Sequence, residues 1–136
     1  MPSEADTLIA LLRLTPHPEG GHYRQTWRDL SPGGGPRGFS TAIFFLLRSG
    51  ESSWWHRVDA AEVWHHYRGA PLELAIGKEK HLLGPGIEKG ELPQLIVPPG
   101  EWQMARSLGD YSLVGCTVAP GFEFSKFELA AKDFVP

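Results

Sequence analysis

The twenty residues from Gly50 to Gly69, GESSWWHRVDAAEVWHHYRG, hold three histidines, two glutamates and three tryptophans. Apolar and polar side chains alternate along both halves, with Asp59, Ala60 and Ala61 between them, so the stretch reads as a β-hairpin. Side chains two apart share a strand face. Trp54, His56 and Val58 are then expected on one face with Glu62, Trp64 and His66, and Trp55, Arg57, Val63, His65 and Tyr67 on the other. If the first set points inward, two imidazoles and a carboxylate sit among indole rings. Burying such groups unpartnered would cost several kcal/mol, so they must pair with one another, with a metal, or with a ligand and water.

The rest of the chain agrees with a β fold. HYRQTWR, STAIFFLL, SSWWHRV, EVWHHY, LELAI, KHLL, QLIVP, WQMARS, YSLVGCTV and FEFSKFELA all read as strands, punctuated by Gly, Pro, Asp or Ser. That spacing is typical of a sandwich or barrel. Leu8, Ile9, Leu11, Leu12 and Leu14 give one short helical pattern, opened by an N-cap signal at Ser3 and Asp6 and closed before Pro16. LSPGGGPRG is the one long loose connection. The expectation is a single domain over residues 1–136: an all-β jelly-roll barrel with a short N-terminal helix packed outside.

Composition narrows the function. The chain has 136 residues, 41% hydrophobic and 21% charged, with a formal net charge of −3. No run is long and apolar enough to span a bilayer, no basic run suits nucleic acid, and the start lacks the basic character of a secretory signal. The reading is a cytoplasmic protein with no membrane or nucleic-acid partner. The lone Cys116, in YSLVGCTV, reads as a buried strand thiol.

Gly50, His56, Glu62 and Gly69 resemble the first cupin motif, Gly-x5-His-x-His-x(3,4)-Glu-x6-Gly, with Val58 in place of the second histidine. In PPGEWQMARS, Pro98 and Gly100 match the second motif, while Gln103 replaces its histidine, Ser107 its asparagine, and Leu92 its leading glycine. HPEGG, STAIFFLL, HRVDAAEVWHHYRG, LGP, VPPGEWQ and VGCTVAPGFEFSKFELA, in this order, resemble the recurring blocks of the DUF985 (Cupin_5) group. The resemblance covers about Leu8 to Ala130. It implies a jelly-roll barrel, often a homodimer, and kinship in fold with sugar-nucleotide epimerases and seed-storage proteins. It implies no particular reaction.

Carried over, the cupin metal positions are His56, Val58, Glu62 and Gln103. Valine cannot ligate, and an amide oxygen is a poor donor for a first-row metal. No cofactor is therefore expected, and a weakly held divalent transition metal on His56, Glu62 and Gln103 is the alternative. Without metal, Glu62 can orient His56 as a general acid–base pair, Gln103 can bond a substrate oxygen, and Trp54 or Trp64 can form a flat wall for a ring. The leading reading is a metal-independent isomerase, epimerase or lyase acting on a small carbonyl or sugar-like compound. The alternatives are a non-catalytic ligand-binding or sensing module and a weakly metal-dependent enzyme.

Further candidates for the ligand are His66, if the hairpin register holds, and Arg24, for an anionic group. Other features read as structural. His22, His65 and His81 are backbone-satisfied strand histidines, and His17 is exposed between two prolines. Glu19, Gly20 and Gly21 make a turn, and Phe122, Phe124 and Phe127 serve packing. The apolar face of Trp55, Val63, His65 and Tyr67 calls for cover by the N-terminal helix or a second subunit.

Overall fold

The computed structural model describes residues 2–136. Ser3 caps helix α1 (Glu4–Leu12), its hydroxyl accepting from the Asp6 amide. Eleven strands follow: β1 (Thr15–Pro16), β2 (His22–Arg28), β3 (Thr41–Arg48), β4 (Ser52–Val58), β5 (Ala61–Gly69), β6 (Leu72–Ile76), β7 (Glu79–Leu83), β8 (Gln94–Val97), β9 (Gln103–Ser107), β10 (Tyr111–Ala119) and β11 (Phe127–Leu129). They form two antiparallel sheets, one ordered β1-β2-β3-β10-β5-β8 and the other β11-β4-β9-β6-β7. This is the jelly-roll architecture expected from the strand pattern. The FEFSKFELA segment differs, because Phe124–Lys126 turn as a 3-10 helix and only Phe127–Leu129 pair as a strand.

The stretch from Gly50 to Gly69 is not a hairpin. β4 pairs with β9 and β11, whereas β5 pairs with β10 and β8. Asp59 and Ala60 form a corner that carries the chain from one sheet to the other. His56 and Glu62 therefore face each other across the barrel interior instead of lying side by side. The inward face of β5 survives this correction, since Glu62, Trp64 and His66 stand opposite the buried Val118, Cys116 and Val114 of β10.

Two irregularities change which side chains point inward. In β4 both Trp54 and Trp55 fall between the pairs Ser53–Ala105 and His56–Gln103. A bulge of this kind resets the alternation, so His56 faces inward while Trp54 does not. In β2, Thr26 is the extra residue between the pairs Gln25–Ile43 and Trp27–Ala42. Tyr23, Gln25 and Arg28 consequently share the inward face of β3, opposite Phe45, Ile43 and Thr41, while Arg24 points outward.

One end of the barrel is filled by Phe45, Leu47, Trp64, Leu72, Leu74 and Leu83, all fully buried. Helix α1 packs outside through Ala5 and Leu8 against Leu46, Tyr111 and Leu113. It does not cover Trp55, which instead meets Phe134 of the C-terminal tail at 6.0 Å. Trp27, Tyr67 and Ile96 remain exposed on the outside of the larger sheet. No helix of the described residues is long and apolar enough to cross a membrane.

The segment between β1 and β2 is pulled onto β4. The Trp54 amide donates to the Glu19 carbonyl at 2.7 Å. Gly20 follows at φ +111°, and a Cβ there would lie 2.0 Å from the Ser52 carbonyl oxygen. Both the conformation and the approach require glycine. Gly20→Ala is expected to cost about 2 kcal/mol or more, read as a lowered urea midpoint with an unchanged slope.

Candidate functional site

The unfilled end of the barrel holds a cavity of about 270 Å³. His56 and Val58 from β4, Glu62 from β5 and Cys116 from β10 form its inner wall. His17 and Glu19 come from the docked segment, and Tyr23, Gln25 and Arg28 from β2. Phe122, Phe124 and Phe127 lie along its rim as an edge-to-face cluster. These phenylalanines pack, as expected, but they pack around a cavity.

His56 and Glu62 are both buried, at 2% and 7% relative exposure. They do not pair directly. The partner of His56 is Glu19, whose Oε2 lies 3.0 Å from Nδ1. The Trp54 carbonyl oxygen lies 2.7 Å from the same nitrogen. Both neighbours of Nδ1 are acceptors, so that nitrogen keeps its hydrogen in every state and the proton that titrates is the one on Nε2. Burial opposes the charge on His56, but Glu19, its hydrogen bond, and Glu62 outweigh burial and lift the pKa to about 9. His56 is thus an imidazolium at neutral pH, with no partner for Nε2–H among the described residues.

Burial would raise Glu19 as well, yet His56 and His17 hold it below the usual carboxylate range. His17 is buried, not exposed as its proline neighbours suggested. Its Nδ1 accepts from the Glu19 amide at 3.1 Å, and its ring meets Tyr23 edge-on at 4.4 Å. Burial lowers its pKa, against the pull of Glu19. A neutral His17 therefore stiffens the segment that presents Glu19.

Glu62 has a different environment. Its Oε1 accepts from Gln103 Nε2 at 2.9 Å, and Gln103 Oε1 accepts from Trp64 Nε1 at 2.8 Å. The indole can only donate, so it fixes which way the amide points. Burial is the main influence on Glu62 and raises it. His56 pulls the other way, Glu19 adds to the rise, and the result is a pKa of about 7. Cys116 sits beside this carboxylate, and burial pushes its thiol well up, with Glu62 and Glu19 adding to the effect. It is not an ionised nucleophile.

The other sequence candidates fall outside the cavity. Trp64 lies beneath it as a fully buried support for Gln103, which itself holds Glu62 without lining the cavity. His66, one step further down β5, is tied by Nε2 to the Ala70 carbonyl at 3.0 Å. Trp54 is turned outward by the β4 bulge, and its Nε1 donates to Ala131 O. Arg24 donates to Leu12 O at 2.8 Å, at the end of α1, and lies over the Phe44 ring. Arg28, four residues later, is the arginine at the cavity.

Glu19, His17 and Arg28 were not distinguishable as site residues by strand periodicity. The signal for the first two was the HPEGG block, whose paired glycines let backbone approach backbone. Nothing local in HYRQTWR announces the bulge that turns Arg28 inward.

The donor set does not fit a cupin metal centre. Val58 offers no donor, and the Gln103 oxygen already accepts from Trp64. Among the described residues no three His, Cys, Asp or Glu side chains are grouped to hold a metal ion.

The Cupin_5 family model, described as Cupin superfamily (DUF985), matches residues 6–130, and the chain belongs to this family. Protein SO0799 from Shewanella oneidensis is 38% identical, with a TM-score of 0.90 over 96% of this chain and 86% of its own. A hypothetical protein from Leishmania major is 30% identical, with a TM-score of 0.87 over 95% and 88% respectively. KdgF from Halomonas sp., 16% identical with a TM-score of 0.62 over 82% and 89%, shares the fold alone. No curated protein matches the chain.

Removing the negative partner should leave burial to dominate His56. Glu19→Gln is expected to bring its NMR-detected titration well below 9, and an unmoved midpoint would contradict the pairing. Burying the Glu62 carboxylate costs stability, and that cost is absent below its ordinary pKa of 4.5, grows as pH rises, and is complete above about 7. Glu62→Gln should therefore raise Tm more at pH 8 than at pH 5, and an equal change at both would show that Glu62 titrates normally.

Proposed function

We propose that this Cupin_5 protein is a metal-independent acid–base enzyme, an isomerase, epimerase or lyase acting on a small carbonyl or sugar-like compound. One observation carries the reading. A buried carboxylate with a pKa of about 7 and a buried imidazolium with a pKa of about 9 face one small cavity from opposite sheets. Groups with such displaced pKa values gather at catalytic sites.

The roles follow from the protonation states. Glu62, ionised above about 7, takes a proton from the carbon next to the substrate carbonyl. His56 donates from Nε2–H to the carbonyl oxygen, where negative charge develops. Glu19 stays ionised and is a positioning residue, holding the imidazolium charged and oriented through Nδ1. Returning the proton to the same carbon from the other side inverts it, return to a neighbouring carbon isomerises, and loss of a β-substituent gives elimination. Gln103 and Trp64 hold Glu62 at its angle and do not bond the substrate as the spacing suggested.

A homodimer belongs to the same proposal. Trp27, Tyr67 and Ile96 leave apolar surface on the outer face of the larger sheet, which a second copy would cover.

With one group required ionised and the other required protonated, kcat/KM on any converted substrate should be bell-shaped, rising near pH 7 and falling near pH 9. Glu62→Gln should abolish the rising limb together with turnover, and His56→Ala should remove the falling limb. A ligand that binds without chemical change, or undiminished turnover in Glu62→Gln, would leave the barrel as a binding module.

A further inference from the structure

Arg28 is buried in part at the cavity wall, where the β2 bulge turns it toward Thr41. Its guanidinium bonds neutral oxygens. Nη1 donates to the Arg37 carbonyl at 2.5 Å, and Nη2 donates to the Phe122 carbonyl at 2.5 Å and more distantly, at 3.4 Å, to Gln25 Oε1. Arg37, Arg48, Arg57, Arg68 and Arg106 each meet a carboxylate. Arg28 pairs with none among the described residues.

A guanidinium has five N–H donors, and three are spent on these acceptors. The remaining two, one on Nε and one on Nη1, lie on different edges of the group, which the two backbone bonds hold in place without neutralising its charge. Elsewhere in the cavity, Glu19 and His56 offset each other's charge, and Glu62 adds none while it is protonated, below about pH 7. A fixed cation beside a self-neutral pair attracts a negative group, and a free N–H on the guanidinium can donate to a carboxylate oxygen. A phosphate monoester fits less well. Its second charge would have no partner, and the Glu19 and Glu62 carboxylates would repel it.

We infer that Arg28 anchors a carboxylate, and that the molecule taken by this cavity is a small carboxylic acid. The acid's carbonyl or ring carbon is then held toward His56 and Glu62. This rests on the proposed function only in taking the cavity as the small-molecule site. The cavity volume of about 270 Å³ suits a compact acid and not a nucleotide-sized one.

The test uses matched probes at low salt on the full chain, with affinity read by calorimetry and Tm. Glucuronate is compared with glucose, and 2-oxoglutarate with its dimethyl ester. At least one acid should bind and raise Tm, and its neutral partner should not. Arg28→Gln should weaken that acid roughly ten- to hundredfold, with Arg28→Lys in between. Should Arg28→Gln fail to fold, the matched pairs on the unmodified protein still decide. Failure of every acid to bind, equal binding of the neutral partner, or unchanged affinity in Arg28→Gln would overturn the inference. Tighter binding of glucose 6-phosphate than of glucuronate would overturn the carboxylate assignment. Glu62→Gln should still bind the acid. If it also still converts the acid, the catalytic reading falls while the Arg28 anchor stands.

Discussion

The interior of this barrel holds a buried imidazolium, and a buried charge without a partner is among the costliest features a fold can carry. Glu19 removes that cost. It does so from outside the motif strands, on a segment pressed against β4 by the Trp54 amide and by the close approach of Gly20 to Ser52. The same contact requires the β4 bulge, because both Trp54 and Trp55 must leave the interior for His56 to enter it. The N-terminal loop, the irregular strand and the charge state of the site are thus one linked arrangement.

Substitution at the two expected metal positions is not simple loss. Gln103 has become the middle of a chain from Trp64 to Glu62, its Oε1 accepting from the indole and its Nε2 donating to the carboxylate. Val58 supplies apolar wall beside Val118 at the corner between the sheets. The consequence is a carboxylate that stays near neutral pH in its titration, because burial raises it while the amide and the imidazolium restrain the rise. A metal centre would have erased that behaviour by holding the carboxylate permanently ionised.

Much of the fold was legible because period-2 alternation and turn residues are local properties. Ten strand segments, the capped helix and the cupin spacing of His56 and Glu62 all follow from neighbours in sequence. The errors arose where the regular alternation breaks. Trp54 was assigned by unbroken alternation, and a bulge residue in β4 moved the phase; Arg24 keeps its outward phase, and the β2 bulge after it turns Arg28 inward instead. Reading the corner at Asp59 and Ala60 as a hairpin put His56 beside Glu62 when the two face each other from different sheets.

The sequence by itself determined that this chain forms a β-barrel with a helix outside, and that Glu62, Trp64 and His66 share one strand face. Only the tertiary structure decided that Glu19 is the partner of His56, that Arg28 and not Arg24 reaches the cavity, and that His66 and Trp64 lie below it. The physical reason is that strand alternation is fixed within a few residues. Bulges, corners and the docking of one segment on another are fixed by backbone hydrogen bonds between parts of the chain far apart in sequence.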